Sequence, residues 1–312
     1  MHETLLKLDQ LSLSYGSKRV LDGIDIQVGK AEIVGLLGPN GSGKSSAIAA
    51  MLGLCNADCQ QFQWKNRVIR LGDPHFRQQI GVLLQAGSID PKLSAVQNLR
   101  LSAKLYGVPK KLATQRIEEW LAFSSLSEQK DQQIKTFSGG MKRKVEFGRA
   151  LLHQPELLIL DEPTTGFDEL AYQQSWSYLV QEKERRELSI LLTTHRPEEA
   201  ERCDRILLLD QGKIIAQGSP AKLKGALKGD VIQLECKAPS EVALEIQQKL
   251  NLKALVLADR VQITHAEGHK LIPRLIENLD EGKVLSVSMH RPTLADVFIQ
   301  YTGRSFNGQH AS

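Results

Sequence analysis

Two runs near the start of the chain, LLKLDQLSLSY and VLDGIDIQV, alternate apolar and polar positions with the period of a strand. That pattern predicts an antiparallel pair joined by a turn at Gly16-Ser17. The next run, EIVGLLG, is almost continuously apolar and ends in glycine, as expected of a strand buried on both faces. SSAIAAMLGL behind it reads as a helix. IGVLLQ, LLILDE and SILLTTH repeat the buried-strand pattern, each running out into polar residues, and RILLLD with KIIAQG predicts a hairpin around Asp210-Gln211-Gly212. Helices are predicted over residues 95–106, 114–123, 141–153 and 170–186. Buried strands alternating with helices specify an α/β fold around a mostly parallel sheet, with a ligand expected at the strands' carboxyl ends.

The pattern changes near Lys224-Gly225. Beyond it come a strand (VIQLEC), a helix (SEVALEIQQKL), two strands (ALVLAD, RVQITHA), a helix (KLIPRLIENL), a strand (VLSVSM) and a short helix (LADVFIQY). This order predicts a small α+β domain of the split βαβ type. The expected organisation is a larger domain over 1–224, a small one over 225–304 and a disordered polar tail over 305–312.

Composition narrows the class. With 41% hydrophobic and 24% charged residues the chain is an ordinary globular protein. A formal charge of +4 over 312 residues is too small for a dedicated nucleic-acid binder, so no nucleic-acid partner is expected. No apolar run approaches the roughly 18 residues that span a bilayer, and charges interrupt the opening MHETLLKLDQ too often for a signal peptide. A cytoplasmic location follows as the expectation. Cys55, Cys59, Cys203 and Cys236 are then expected as free thiols, since Cys55 and Cys59 have no second pair to complete a metal site. His265 and His269 in HAEGH are assigned to a solvated loop, because the intervening glycine weakens a helix there. Lys142, Arg143, Lys144 and Arg149 on the 141–153 helix read as a solvated basic face.

Candidate chemistry concentrates in GPNGSGKSS: Gly38, Pro39, Asn40, Gly41, Ser42, Gly43, Lys44, Ser45 and Ser46. The stretch fits G-x-x-x-x-G-K-[ST] and sits between a buried strand and a helix, the context that motif requires. Glycines let backbone N–H groups wrap phosphates without a clashing side chain, Lys44 neutralises β- and γ-phosphate charge, and Ser45 suits Mg²⁺. The helix that starts at Ser45 aims its positive end at the same anion. Alone, this loop fits kinases, GTPases and motor ATPases equally. LLIL followed by Asp161-Glu162 adds a carboxylate for the Mg²⁺ shell, Asp161, and a second one directed to the other side of the strand, Glu162, able to orient or deprotonate an attacking water.

FSGGMK, residues 137–142, resembles the signature sequence of ATP-binding cassette (ABC) proteins, with Phe137 where leucine is commoner. Ser138 suits the N-cap of the helix that follows. The resemblance implies that Ser138, Gly139 and Gly140 contact the γ-phosphate of ATP held by an opposite subunit. It assigns Tyr15 to stacking on adenine, Gln85 to Mg²⁺ and the attacking water, Asp168 in TTGFDE to the loop linking two sites across a dimer, and His195 in LLTTH to the γ-phosphate. It covers roughly residues 4–227. Two stretches depart from the pattern: LCNADCQQFQWKN lacks the usual Pro and Gly, and TTGFDE carries Phe and Glu where Leu and Pro are usual.

The implied fold is a phosphate-loop ABC ATPase domain, with a mixed sheet core, an antiparallel β subdomain and a helical subdomain, followed by the small α+β domain. ATP and Mg²⁺ are the implied ligands. A second ATPase subunit, as a homodimer, and a separate transmembrane permease are the implied partners, placing the chain on the cytoplasmic face of the inner membrane. SIDPKLSAVQNLRLSAKLYGVP and HRPTLADVFIQYTGR resemble the corresponding stretches of drug- and antibiotic-exporting systems. The alternatives are an import ATPase and a non-transport cassette protein.

Overall fold

The computed structural model describes residues 3–85, 87–280 and 282–306. The chain divides into two compact units, one formed by Met1–Leu36 and Gly43–Thr194, the other by Leu37–Ser42 and His195–Ser312.

In the first unit, β1 (Thr4–Tyr15) and β2 (Lys18–Gly29) pair antiparallel across the Gly16-Ser17 turn, with Leu8 opposite Ile26 and Tyr15 opposite Lys18. Alternation buries Leu6 and Leu8, and after an irregularity at Gln10, φ 54°, it resumes to bury Leu11 and Leu13. β3 (Ile33–Leu37) leads to α1 (Lys44–Met51). The departing stretch after α1 is a two-strand extension: β4 (Gln61–Trp64) pairs with β1 and turns through Lys65 and Asn66, both left-handed, into β5 (Arg67–Val68).

Then follow α2 (Pro74–Gln79), β6 (Ile80–Leu83), α3 (Ala95–Leu105), α4 (Lys110–Phe123), α5 (Gly139–Leu151), β7 (Leu157–Asp161), α6 (Glu169–Arg186) and β8 (Ser189–Thr194). β6, β7 and β8 are parallel neighbours, and every residue of β7 and β8 is buried, as their unbroken apolar runs require. α3 begins in a capping box, Ser94 with Gln97. Its neighbour α4 is tied to α5 by the Trp120 indole, which donates to the Lys144 carbonyl at 3.0 Å.

The second unit opens with α7 (Pro197–Ala200), the hairpin of β9 (Arg205–Asp210) and β10 (Lys213–Gly218), and α8 (Pro220–Gly225). After these come β11 (Asp230–Cys236), α9 (Pro239–Leu250), β12 (Leu255–Val256), β13 (Arg260–His265), α10 (Gly268–Asn278), β14 (Val284–His290) and α11 (Leu294–Thr302). The sheet order is β12-β13-β11-β14, with β13 antiparallel to both β11 and β12. This is a split βαβ: the parallel strands joined by α9 are parted by β13. Ile232, Leu234, Val261 and Ile263 pack with Val242, Ile246, Leu271 and Leu275 of α9 and α10 into a core of their own.

HAEGH departs from the loop expectation. His265 ends β13 and His269 lies in the first turn of α10, because glycine at the helix start carries none of the penalty it would carry mid-helix. Of the polar tail, Ser305 and Phe306 are placed, the Phe306 ring stacking on Phe298 at 4.3 Å; residues 307–312 lie outside the described part of the chain. Among the described residues no helix is long and apolar enough to cross a membrane.

Candidate functional site

The phosphate loop is built by close backbone approach. A Cβ on Gly38 would lie 2.2 Å from the Leu209 carbonyl oxygen, so only glycine fits between loop and β9. Gly43 takes φ 111°, a conformation L side chains avoid, and so caps α1 directly ahead of Lys44. Pro39, Asn40, Gly41 and Ser42 belong to the second unit, where they line a cavity of about 430 Å³ with His195, Asp210, Gln211 and Arg304–Phe306.

In the first unit, Lys44 opens α1 and is only 4% exposed. Its ammonium lies 3.8 Å from Glu162 Oε1. Burial lowers the Lys44 pKa, and the charges of Glu162 and then Asp161 oppose that shift. The Ser45 hydroxyl donates to Asp161 Oδ1 at 3.0 Å, and the Thr193 hydroxyl donates to the same oxygen at 2.5 Å. Ser46 is half-buried in the first turn of α1. Among the described residues there is no group of three or more His, Cys, Asp or Glu able to hold a metal, and none of the four cysteines is in a disulfide.

Strand alternation would send Glu162 away from Asp161. Instead Glu162 adopts φ 47°, a left-handed conformation costing roughly 1–2 kcal/mol for a residue with a Cβ. Its N–H donates to both oxygens of Thr193, at 3.2 Å to the carbonyl and 3.1 Å to the hydroxyl, so the strained turn is held from the neighbouring strand. Both carboxylates therefore meet residues of the loop's end, Asp161 at Ser45 and Glu162 at Lys44. The Gln85 amide donates to Glu162 Oε2 at 3.2 Å. A buried cation, two carboxylates, a hydroxyl and an amide thus converge where a polyphosphate and a water would meet.

The solvated basic face assigned to α5 is corrected. Arg143 is buried, and its guanidinium donates to the carbonyls of Leu84 (2.7 Å), Asp161 (2.9 Å), Glu162 (3.1 Å) and Pro163 (3.2 Å) and pairs with Glu146. One fork of five donors thereby ties α5 to the segments carrying Gln85 and Glu162. Lys144 donates to the Ser124 carbonyl and Arg149 to Ser88. The spacing of Arg143 with Phe147 and Ala150 on one helical face was the available clue. Arg143→Ala is expected to cost about 3–5 kcal/mol of stability, since it strands a buried carboxylate and several carbonyls. Arg143→Lys, which lacks the fork, should recover little of this. A urea-unfolding loss below about 1 kcal/mol for the alanine variant would show that the hub is dispensable.

Ser138 caps α5 as expected, accepting from the Met141 N–H at 3.2 Å. A Cβ on Gly139 would meet nothing within 4 Å, so the chain's own packing does not demand glycine there. Phe137 is buried, which accounts for an apolar residue at that position. Asp168 spends its carboxylate as the N-cap of α6, accepting from the Ala171 N–H at 2.7 Å. Tyr15, at the end of β1, exposes 55% of its surface, leaving the ring open to stacking.

Comparison with known proteins fits this geometry. The model of the ABC transporter family matches residues 21–165. The linearmycin resistance ATP-binding protein LnrL of Bacillus subtilis is 34% identical over 96% of this chain and 99% of its own length. The chain belongs to the ABC transporter ATPases. Nod factor export ATP-binding protein I of Burkholderia thailandensis is 33% identical over 96% of this chain and 97% of its own. A solved structure of an ATP-binding subunit of an ABC transporter superposes with a TM-score of 0.66 at 31% identity, covering 72% of this ABC ATPase and 93% of that chain. As a member of the family, this ABC ATPase binds and hydrolyses ATP and works with transmembrane components.

Proposed function

We propose that this ATPase drives an exporter whose permease is a separate chain, and that two copies close on two ATP molecules to do so. The opening of α5 carries the pairing: Ser138 exposes a capped helix N-terminus whose glycine faces empty space, an anion site with no use inside its own chain. Gly139 and Gly140 then let a partner's γ-phosphate approach the backbone closely, and Asp168, at the head of α6, lies in the loop that meets the other copy. Export is supported by full-length similarity to ATP-binding proteins named for linearmycin resistance and Nod factor export, similarity that runs through the small domain proposed for residues 225–304.

Within each copy, Tyr15 stacks on adenine, residues 38–46 wrap the phosphates, and Lys44 and His195 neutralise charge at the γ-phosphate. Glu162 takes the proton of a water that Gln85 orients. Mg²⁺ suits the donors present, which are hard oxygens of Ser45, Asp161 and Gln85; this ion usually keeps waters and phosphate oxygens as its other ligands. Bound there, it would neutralise charge building on the phosphates. The chain would sit peripherally on the cytoplasmic face of the membrane, held by its permease.

Purifying the tagged chain from detergent-solubilised membranes should recover a polytopic membrane protein. That pair, reconstituted with its ATP-binding face outward, should move substrate into the vesicles only with ATP. Recovery of a ribosomal or DNA-bound complex in its place would refute the exporter reading.

A further inference from the structure

Residues 304–306 line the same cavity as Pro39, Asn40, Gly41 and Ser42 of the phosphate loop. α11 packs against α7 and α8 and stops at Gly303, φ 70°. The exit is tied down on both sides. The Thr302 hydroxyl donates to the Phe298 carbonyl at 2.8 Å and accepts from the Arg304 N–H at 3.3 Å, while Phe306 stacks on Phe298. These contacts place the Arg304 guanidinium on the Asp210 carboxylate, both side chains half-buried. Asp210 ends β9, and the turn it begins passes through Gln211 at φ 45° to Gly212, whose N–H donates to the Ser42 carbonyl at 2.9 Å.

That last bond bears on the loop's chemistry. The Ser42 carbonyl and the Gly43 N–H share one trans peptide plane, so they point in opposite directions. Holding the carbonyl on Gly212 fixes where the Gly43 N–H aims, immediately before Lys44. Ser42 itself is 3% exposed, and its hydroxyl has no hydrogen-bond partner, an orphan polar atom beside the same cavity.

We propose that Arg304 is a positioning residue for nucleotide binding: clamped on Asp210, it stiffens the β9–β10 turn that holds the Ser42–Gly43 peptide, so the C-terminal segment sets the affinity of the loop for ATP. The inference rests on the reading of residues 38–46 as the phosphate site. It gives the exit from α11 a role that an amphipathic helix alone would not have.

The test is equilibrium binding of a fluorescent ATP analogue to the full chain, with thermal unfolding measured alongside. Arg304→Ala should weaken binding roughly five- to tenfold, the size of a modest coupling between sites, with little change in unfolding temperature. Asp210→Arg should weaken it similarly, and the exchanged pair Arg304→Asp with Asp210→Arg should return affinity to within about twofold of wild type. Recovery on exchange shows that the two charges act as a pair, and unchanged unfolding temperatures in the single variants separate an effect on the loop from a loss of stability. Wild-type affinity in Arg304→Ala, or an exchanged pair no better than the single variants, overturns the proposal. If Arg304→Ala does not fold, Arg304→Gln replaces it, removing the charge while keeping a long polar side chain, and binding equal to wild type there is equally adverse. Lys44→Ala separates the two readings. Unchanged affinity in that variant would remove the phosphate-loop assignment itself; lost affinity there with normal affinity in Arg304→Ala would remove only the role of Arg304.

Discussion

Glu162→Gln should lower ATP turnover by about 10²–10⁴-fold, the range of a lost general base, while the chain still binds ATP. The substitution keeps the shape of the side chain and the contact with Gln85, whose amide donates to Glu162 Oε2 at 3.2 Å. What it removes is a buried negative charge 3.8 Å from the Lys44 ammonium. In the absence of nucleotide that charge satisfies Lys44; with ATP present it repels the incoming phosphates. Affinity for ATP should therefore rise as turnover falls, and the ATP-bound pair of chains should accumulate as a larger species on gel filtration. Hydrolysis at the wild-type rate in this variant would take the base role from Glu162, whatever its effect on binding.

Lys44→Ala is expected to weaken ATP binding by about ten- to a hundredfold, as charge-assisted hydrogen bonds contribute roughly 1.5–3 kcal/mol. Its effect on stability is the more telling half. Lys44 is buried, and burial works against its charged form despite the opposing carboxylates. Removing the cation alone leaves the buried Glu162 and Asp161 carboxylates without the charge that compensates them, which costs about 3–5 kcal/mol. The chain without nucleotide should then lose stability as well as its ligand, with its unfolding midpoint falling. A large drop in stability with affinity intact would mean that Lys44 serves the fold and that the phosphates are held elsewhere.

Much of this site is legible in the residues because the relevant signals are local. LLIL and SILLTT are continuous apolar runs, and they are the strands β7 and β8 buried on both faces. The glycines of residues 38–43 mark a turn that no other residue can make, and Ser138 precedes its helix as a cap should. The illegible parts involve a choice made by distant residues. Arg143 carries the same charge as its neighbours Lys142 and Lys144, and only the carbonyls converging from Leu84, Asp161, Glu162 and Pro163 make it a buried hub. The direction of Glu162 depends on Thr193 of the adjacent strand, which holds a conformation that strand periodicity excludes. The contact of Arg304 with Asp210 spans 94 positions of sequence, a separation across which pattern carries no information.

The left-handed backbone at Glu162 also has a consequence for how such a chain can change over generations. Glycine or asparagine would sit there more comfortably than glutamate, so drift under selection for a sturdier fold would tend to erase this carboxylate. A copy released from transport work, yet still required to fold and dock, would be expected to lose its acid at this position early.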